Sequence, residues 1–165
     1  MRAVLPSMRA AKAGVIVNVS SGAGIYGLPL ISLYCASKFA LEGFTEAVSY
    51  ELAAQGIVVK LVEPYGGVDG TAFQMRADAE RGTDPALSAY DAYAAQVAAA
   101  YARLPAVQLN AAIDVARKVF EAATDGTEKL RYFVGHDTRG FLAARRAVAD
   151  DDDMRAMRAK FAPPA

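Results

Sequence analysis

The chain has 165 residues, 54% of them hydrophobic, which is enough for one globular domain with a substantial core. Its 18 basic and 18 acidic residues balance, so neither nucleic acid nor an anionic membrane is an expected partner. The single cysteine excludes an internal disulfide, and residues 1–14 contain neither a secretory apolar core nor a membrane-spanning stretch, which predicts a soluble, cytoplasmic protein.

Strands alternate with helices along the first part of the chain, and this order predicts a parallel sheet. The predicted elements are the end of a helix through residue 12, a buried strand at 15–20, a helix at about 33–55 and a strand at 57–63. Both strands are nearly continuous apolar runs, as expected when helices cover the two faces of a sheet.

A long alanine-rich segment follows the second strand, and we expect a helical insertion at about 68–104. Tyr90, Tyr93 and Tyr101 recur within it at spacings that predict helices with one aromatic face. These tyrosines are expected to be core residues rather than cofactor contacts.

The last part of the chain is predicted to contain two helices and a short strand. Asn110 is expected to cap a helix that ends near Ala123, and the strand covers 130–135. The acidic run Asp150–Asp153 is expected to cap a helix over Met154–Phe161, since negative charge is favourable at a helix N-terminus.

Ser21, Tyr34 and Lys38 form a pattern that predicts redox chemistry. Tyr34 and Lys38 are four residues apart, so they lie on one face of the predicted helix, one turn apart. A nearby ammonium group favours the phenolate form of tyrosine, which can then donate and accept a proton. Ser21 closes the first strand, so its hydroxyl is expected at the edge of the sheet where ligands bind in open α/β folds.

Each of these residues also has a purely structural interpretation. Tyr34 and Lys38 match an ordinary surface pair on a helix. Ser21 fits a cap at the end of a strand, and Ser20 is expected to be structural. Cys35, on an apolar helix, is expected to be an inert core residue.

Other kinds of site are disfavoured by composition. His136 is the only histidine and does not lie near a G-x-S-x-G turn, so a serine hydrolase is not expected. One histidine and one cysteine cannot supply a zinc site of the common type, and no metal is expected. A single acidic run does not indicate a calcium loop.

The segments NVSS, GAGIYGLPLIS and YCASK together resemble the pattern of the short-chain dehydrogenase/reductase family. The interval of 13 residues from Ser21 to Tyr34 also fits that family. The resemblance extends over most of the chain and implies an α/β fold, namely the C-terminal part of a Rossmann-like doubly wound parallel sheet with flanking helices. It implies a single partial domain over residues 1–165.

The resemblance implies an oxidoreductase that transfers hydride between NAD or NADP and a small-molecule alcohol or carbonyl substrate. Ser21 would then bind the substrate oxygen and Tyr34 would exchange a proton with it. Lys38 would assist Tyr34 and hold the nicotinamide ribose, so Tyr34 and Lys38 also count as cofactor-binding residues. The alanine- and tyrosine-rich insertion suggests an apolar substrate.

A second match lies after the strand at 57–63, where the family has P-G-x-x-x-T beside the nicotinamide ring. This chain has an additional residue, Tyr65, between the proline and the glycine, so we expect an altered loop. The resemblance implies that further cofactor contacts come from Pro64, Gly66, Gly67, Val68 and Thr71.

The family's glycine-rich turn G-x-x-x-G-x-G, which receives the cofactor pyrophosphate, has no counterpart in this sequence. We therefore expect weak or absent dinucleotide binding by this chain alone. The alternative function is an inactive truncated remnant, or a fragment that needs another chain. The resemblance also implies a homo-oligomer formed through the helix that carries Tyr34 and Lys38.

Overall fold

Three parallel strands form the main sheet of the computed structural model, which describes residues 1–80 and 85–162 apart from the Glu80 side chain. Strand β1 is Gly14–Val19, β2 is Ile57–Pro64 and β5 is Arg131–Val134. The order is β1, β2, β5, so β2 pairs with both neighbours. This parallel sheet with flanking helices confirms the predicted α/β, Rossmann-like fold class.

Helices and a second small sheet make up the rest of the described chain. The helices are α1 Leu5–Ala11, α2 Ser32–Ala53, α3 Phe73–Glu80, α4 Asp91–Arg103, α5 Ala112–Thr124, α6 Phe141–Ala147 and α7 Asp150–Phe161. Short 3-10 turns occupy Gly22–Gly24 and Pro85–Tyr90, and strand β3, Val68–Asp69, pairs in parallel with β4, Asn110–Ala111. In residues 1–80 and 85–162, no helix has the length and apolar content needed to cross a bilayer.

The main sheet is covered on both faces because alternate residues of β2 point to opposite sides. Ile57 and Val59 pack with Leu52 of α2 in one cluster, which α1 completes. Val62 packs on the other face with Ala122 of α5, in a cluster that also includes residues of β5. This two-sided burial explains why β2 is apolar along most of its length.

A third apolar cluster lies outside the sheet and joins the C-terminal helices to α4. It consists of Val97 and Ala100 of α4, Phe141 of α6, and Met157 and Phe161 of α7. Tyr26 and Leu28, from the connection between β1 and α2, pack against this cluster. The cluster therefore holds the C-terminal helices close to the edge of the sheet where β1 ends.

One buried lysine interrupts the apolar sequence of β2. The Lys60 ammonium is almost fully buried, forms an ion pair with Asp125, and lies 3.1 Å from the Tyr132 hydroxyl. The hydrogen bonds from Lys60 and Tyr132 hold the pKa of the Asp125 carboxyl well below its usual range. Because breaking a buried pair leaves an uncompensated charge, this contact fixes β2 against the end of α5.

Two predicted helix starts are wrong. Asn110 does not cap α5; it belongs to β4, and its side chain donates to the carbonyl oxygens of Tyr65 and Gly67. The acidic run does not precede the last helix, because α7 already begins at Asp150 and the four aspartates form its first turn. Their charge still lies at the positive end of the helix dipole.

The segment at 68–104 also differs in detail from the prediction. It begins with strand β3 rather than a helix, because Val68 and Asp69 pair with β4. The three tyrosines do not share one buried face: Tyr90 and Tyr93 are exposed, whereas the Tyr101 ring packs edge-on against Phe161 with centroids 5.1 Å apart. Residues 81–84 of this segment lie outside the described residues.

We expect Leu61→Ala to lower the free energy of unfolding by about 2–5 kcal/mol, since it removes a fully buried side chain from the central strand. Urea denaturation followed by circular dichroism measures the change. Leu33→Ala is the matched control, because Leu33 is 87% exposed, and it should change stability by less than about 0.5 kcal/mol. Equal effects of the two substitutions would contradict the described core.

Candidate active site

Ser21 lies where the chain leaves the carboxyl end of β1. The Ser20 amide still donates to the carbonyl oxygen of Val62 at 2.8 Å, and Ser21 then starts the 3-10 turn. The Ser21 Oγ accepts a hydrogen bond from the Ala23 amide at 3.3 Å. Ser21 therefore caps the turn, as the structural interpretation predicts, and it also lies at the carboxyl edge of the sheet.

Tyr34 and Lys38 lie on the first two turns of α2, one turn apart as predicted. The Lys38 Nζ donates to the Val19 carbonyl oxygen at 3.1 Å and lies 5.7 Å from the centroid of the Tyr34 ring. Burial lowers the pKa of the Lys38 ammonium, and the Glu42 carboxylate opposes this effect. The Tyr34 ring packs against Phe73 with centroids 5.9 Å apart. The Lys38 side chain thus connects α2 to the last residue of β1 by a hydrogen bond.

A cavity of about 460 Å³, which we call the sheet-edge cavity, brings the predicted residues together. Its lining includes Ser21, Tyr34, Lys38, Pro64, Gly67, Val68 and Thr71. All predicted site residues except Gly66 therefore surround one space at the carboxyl edge of the sheet. Their catalytic and cofactor-binding roles stay predictions.

A second cavity, of about 410 Å³, lies next to the first, and we call it the aromatic cavity. Ser21, Tyr34, Gly67 and Phe73 line both cavities, so two of the three predicted catalytic residues lie between them, whereas Lys38 lines only the sheet-edge cavity. The additional residues around the aromatic cavity include Gly66 and four rings, those of Tyr26, Tyr65, Phe141 and His136. Tyr34 therefore contributes to the walls of both cavities.

The turn after β2 depends on glycine. Gly66 and Gly67 have φ angles of +79° and +95°, a region that residues with a Cβ atom rarely adopt. A Cβ at Gly66 would also lie 2.4 Å from a methyl carbon of Val107. The Asn110 side chain holds this turn, because its Nδ2 donates to the carbonyl oxygen of Gly67 at 2.9 Å.

Tyr65, which we expected to alter the loop, instead continues the pairing of β2 with β5. Its amide donates to the Val134 carbonyl oxygen at 2.9 Å, and its side chain is buried. The ring packs against Phe133, and its edge fills the space beside Gly22, where a Cβ would lie 2.6 Å away. The extra residue thus becomes part of the wall of the aromatic cavity.

A charge cluster, formed by the buried Glu63 and Glu42 and the partly exposed Glu46 and Arg131, lies behind this wall. The Arg131 Nε is 3.5 Å from Glu63 and 3.4 Å from Glu42, and its Nη2 is 2.7 Å from Glu46. The Tyr65 hydroxyl donates to Glu63 at 3.3 Å. Burial, followed by repulsion from Glu42, raises the pKa of Glu63 to about 7, and burial also raises the pKa of Tyr65. The cluster joins α2, β2 and β5 next to the site.

Sequence reasoning missed the structural roles of Glu63, Arg131 and Asn110. A glutamate inside the apolar strand VVKLVEP is a detectable signal, because buried charges need partners. The partners could not be found in this way, since Arg131 is far from Glu63 in the sequence. Asn110 is predicted to be a cap because its position before a helix is the usual one for a capping residue.

Two of the remaining candidates are buried. Ser20 is 4% exposed, and its hydroxyl has no hydrogen-bond partner among the described residues. Cys35 is a free, buried thiol. No group of three or more potential metal ligands was found in the part of the chain that the structure describes.

Comparisons with known proteins address the family directly. The family model "short chain dehydrogenase" matches residues 1–82. An uncharacterised oxidoreductase of Schizosaccharomyces pombe is 32% identical over 151 residues, which are 91% of this chain and 61% of the relative. Estradiol 17-beta-dehydrogenase 1 of Rattus norvegicus is 34% identical over 154 residues, which are 92% of this chain and 43% of that enzyme.

Solved structures agree with the sequence relatives. A short-chain dehydrogenase of Burkholderia cenocepacia in complex with NADP superimposes with a TM-score of 0.62 at 21% identity, covering 99% of this chain and 53% of that one. A short-chain dehydrogenase of Streptomyces avermitilis gives 0.58 at 25% identity, covering 97% and 54%.

The chain belongs to the short-chain dehydrogenase/reductase family, whose members found in these comparisons are oxidoreductases. It spans about 61% of the length of the fission-yeast relative and about half of the two structural neighbours.

The raised pKa of Glu63 predicts a pH-dependent stability. An unperturbed glutamate has a pKa of 4.5, whereas that of Glu63 in the folded protein is about 7. Between pH 4.5 and 7, Glu63 therefore holds a proton in the folded state that it loses in the unfolded state. The free energy of unfolding should therefore fall by roughly 1–3 kcal/mol as the pH rises from about 4.5 to above 7. Urea denaturation across this range measures the slope.

Glu63→Gln should flatten that slope, because the amide does not titrate. Glu51→Gln is the matched control, since Glu51 is an exposed residue of α2, and it should retain the wild-type slope. A Glu63→Gln protein with an unchanged slope would show that Glu63 is not the titrating group.

Proposed function

We propose that this protein is an NAD(P)-dependent oxidoreductase that transfers hydride between a nicotinamide cofactor and an alcohol or carbonyl substrate. The observation that carries the proposal is the position of Ser21, Tyr34 and Lys38 around one cavity at the carboxyl edge of a parallel sheet. Ligands bind at this edge in open α/β folds, and the side chains supply the proton donors that such a reaction needs.

The proposed roles follow from the chemistry of each side chain. Ser21 donates a hydrogen bond to the substrate oxygen. Tyr34 gives its hydroxyl proton to that oxygen during reduction, and accepts a proton from it during oxidation. Lys38 contributes positive charge beside Tyr34 and hydrogen-bond donors for the ribose of the cofactor.

The residues of the sheet-edge cavity fit the nicotinamide half of the cofactor. The volume of about 460 Å³ lies in the range of small-molecule sites. Pro64, Gly67, Val68 and Thr71 would line the ring side, and Lys38 would face the ribose. A bound nicotinamide supplies or accepts the hydride. The NADP found in a structural neighbour supports this assignment without selecting between NAD and NADP.

The aromatic cavity supports a substrate with an apolar body. Relatives that share part of this chain include retinol dehydrogenase 8 of Bos taurus, which is 42% identical over 94 residues, covering 54% of this chain and 30% of that enzyme. Its name and that of the estradiol dehydrogenase denote apolar substrates. We propose that residues 1–165 form one domain, in which the segment at 68–104 covers this substrate side.

We also propose that copies of the chain associate through α2. Phe39, Phe44 and Tyr50 expose aromatic rings on this helix, with Tyr50 71% exposed, and apolar surface of this kind favours association.

The alternative is a chain that needs a second polypeptide for activity. The unpaired edge of β1 favours this alternative, because β1 pairs only with β2 among the described strands and Val15 and Val19 are partly exposed. An unpaired edge can accept another strand.

Titration of the purified chain with NADPH and NADH, followed by cofactor fluorescence and by calorimetry, tests the proposal first. Because the glycine-rich turn has no counterpart in this sequence, we expect weak but saturable binding. Lys38→Met should weaken it about tenfold further, since it removes charged hydrogen-bond donors. Lys12→Met, which changes an exposed lysine outside the site, should bind as the wild type does. No binding by the wild-type chain would contradict the proposal for this chain alone and favour the alternative.

Tyr34→Phe should lower kcat at least about 100-fold, because it removes only the proton-donating hydroxyl. The assay is NADPH oxidation with a panel of apolar ketones and aldehydes. Tyr50→Phe removes an exposed hydroxyl from the same helix and should leave kcat unchanged. Undiminished turnover by Tyr34→Phe would rule out the proposed proton transfer.

A further inference from the structure

The aromatic cavity has a polar segment that the proposed reaction does not use. Rings such as Tyr26, Tyr65 and Phe141 form its apolar wall, whereas the residues that follow β5, from His136 to Arg139, add polar and charged groups. At about 410 Å³ the cavity is within the size range of small-molecule sites. In such sites a few polar groups fix the orientation of a mostly apolar ligand.

Arg139 is the cation of this segment, and two contacts hold it in place. Its Nε donates to the Pro105 carbonyl oxygen at 3.2 Å, and its guanidinium carbon lies 5.0 Å from the centroid of the Tyr101 ring. Within the described chain, neither Nη atom donates a hydrogen bond and Arg139 forms no ion pair. These two contacts orient the guanidinium and leave its Nη donors unused among the described residues.

Asp137, the acidic residue of the same segment, forms no ion pair with Arg139 among the described residues. One of its carboxylate oxygens accepts the Phe141 amide at 2.9 Å and the other accepts the Ala143 amide, also at 2.9 Å. These bonds hold its charge at the N-terminus of α6, where negative charge is favourable. By contrast, Arg131 and Arg145 each pair with carboxylates. The cavity thus contains both charges, but the Nη donors of Arg139 have no carboxylate partner among the described residues.

We propose that Arg139 binds a carboxylate group of the substrate. The guanidinium presents a planar set of N–H donors that matches a carboxylate, and the surrounding rings accommodate the apolar part of the same molecule. The substrate class is then an alcohol or carbonyl compound with an apolar body and a carboxylate. Only its alcohol or carbonyl part rests on the proposed function; the carboxylate site stands on the geometry of Arg139.

Equilibrium binding of two matched ligands, phenylbutanoate and phenylbutanamide, tests this proposal without cofactor or turnover. The ligands have the same apolar body and differ in the charge of one group. Calorimetric titration of the wild-type chain should show about tenfold tighter binding of the carboxylate than of the amide. Because no cofactor is present, failure to bind NADPH or to turn over a substrate does not affect this result.

Arg139→Gln should weaken binding of phenylbutanoate about tenfold and leave that of phenylbutanamide unchanged. Arg103→Gln removes the same charge from an exposed position at the end of α4 and should keep the wild-type preference. Circular dichroism confirms that each variant is folded. Equal binding of the two ligands by the wild type, no binding of either, or an Arg139→Gln protein that retains the preference would each overturn the proposal.

Discussion

The site depends on the parallel pairing of β1 with β2. Val19 lies opposite Val62 in the register, so the chain leaves both strands at the same edge, and Ser21 lines the same cavity as Gly66 and Gly67. A slip of one residue would move each side chain of a strand to the other face. The same register that builds the core therefore also sets which groups surround the two cavities.

Two buried charges in β2 make this register specific. Lys60 points to the α5 side of the sheet, where its ammonium donates to Asp125 and Tyr132. Glu63 points to the α2 side, where Arg131 lies. Exchanging the faces would separate both charges from their partners in a water-poor interior, which is far more costly than misplacing an apolar side chain. We infer that these charges contribute more to the choice of one arrangement than to overall stability.

Local patterns predicted much of the fold. Apolar runs located the three main strands within two residues, and the four-residue spacing of Tyr34 and Lys38 placed both on one face of α2. The sequence failed where a distant partner decides the outcome. Asn110 resembles a helix cap, yet it binds the carbonyl oxygens of the turn after β2, and Tyr65 reads as a loop residue although its amide continues the ladder to β5. In both cases the partner is distant in the sequence, so the periodicity of apolar residues cannot predict the contact.

The short pairing of β3 with β4 brings together the two ends of the long segment between Asp69 and Asn110. Val68 pairs with Asn110, and the Asn110 backbone N–H donates to the Gly67 carbonyl oxygen at 3.1 Å, so the two ends of the segment between them lie close together. Doubling the length of a closed loop costs only about 0.6 kcal/mol. Evolution can therefore lengthen, shorten or exchange this segment, and with it the shape presented to a substrate, while the turn beside Ser21 keeps its geometry.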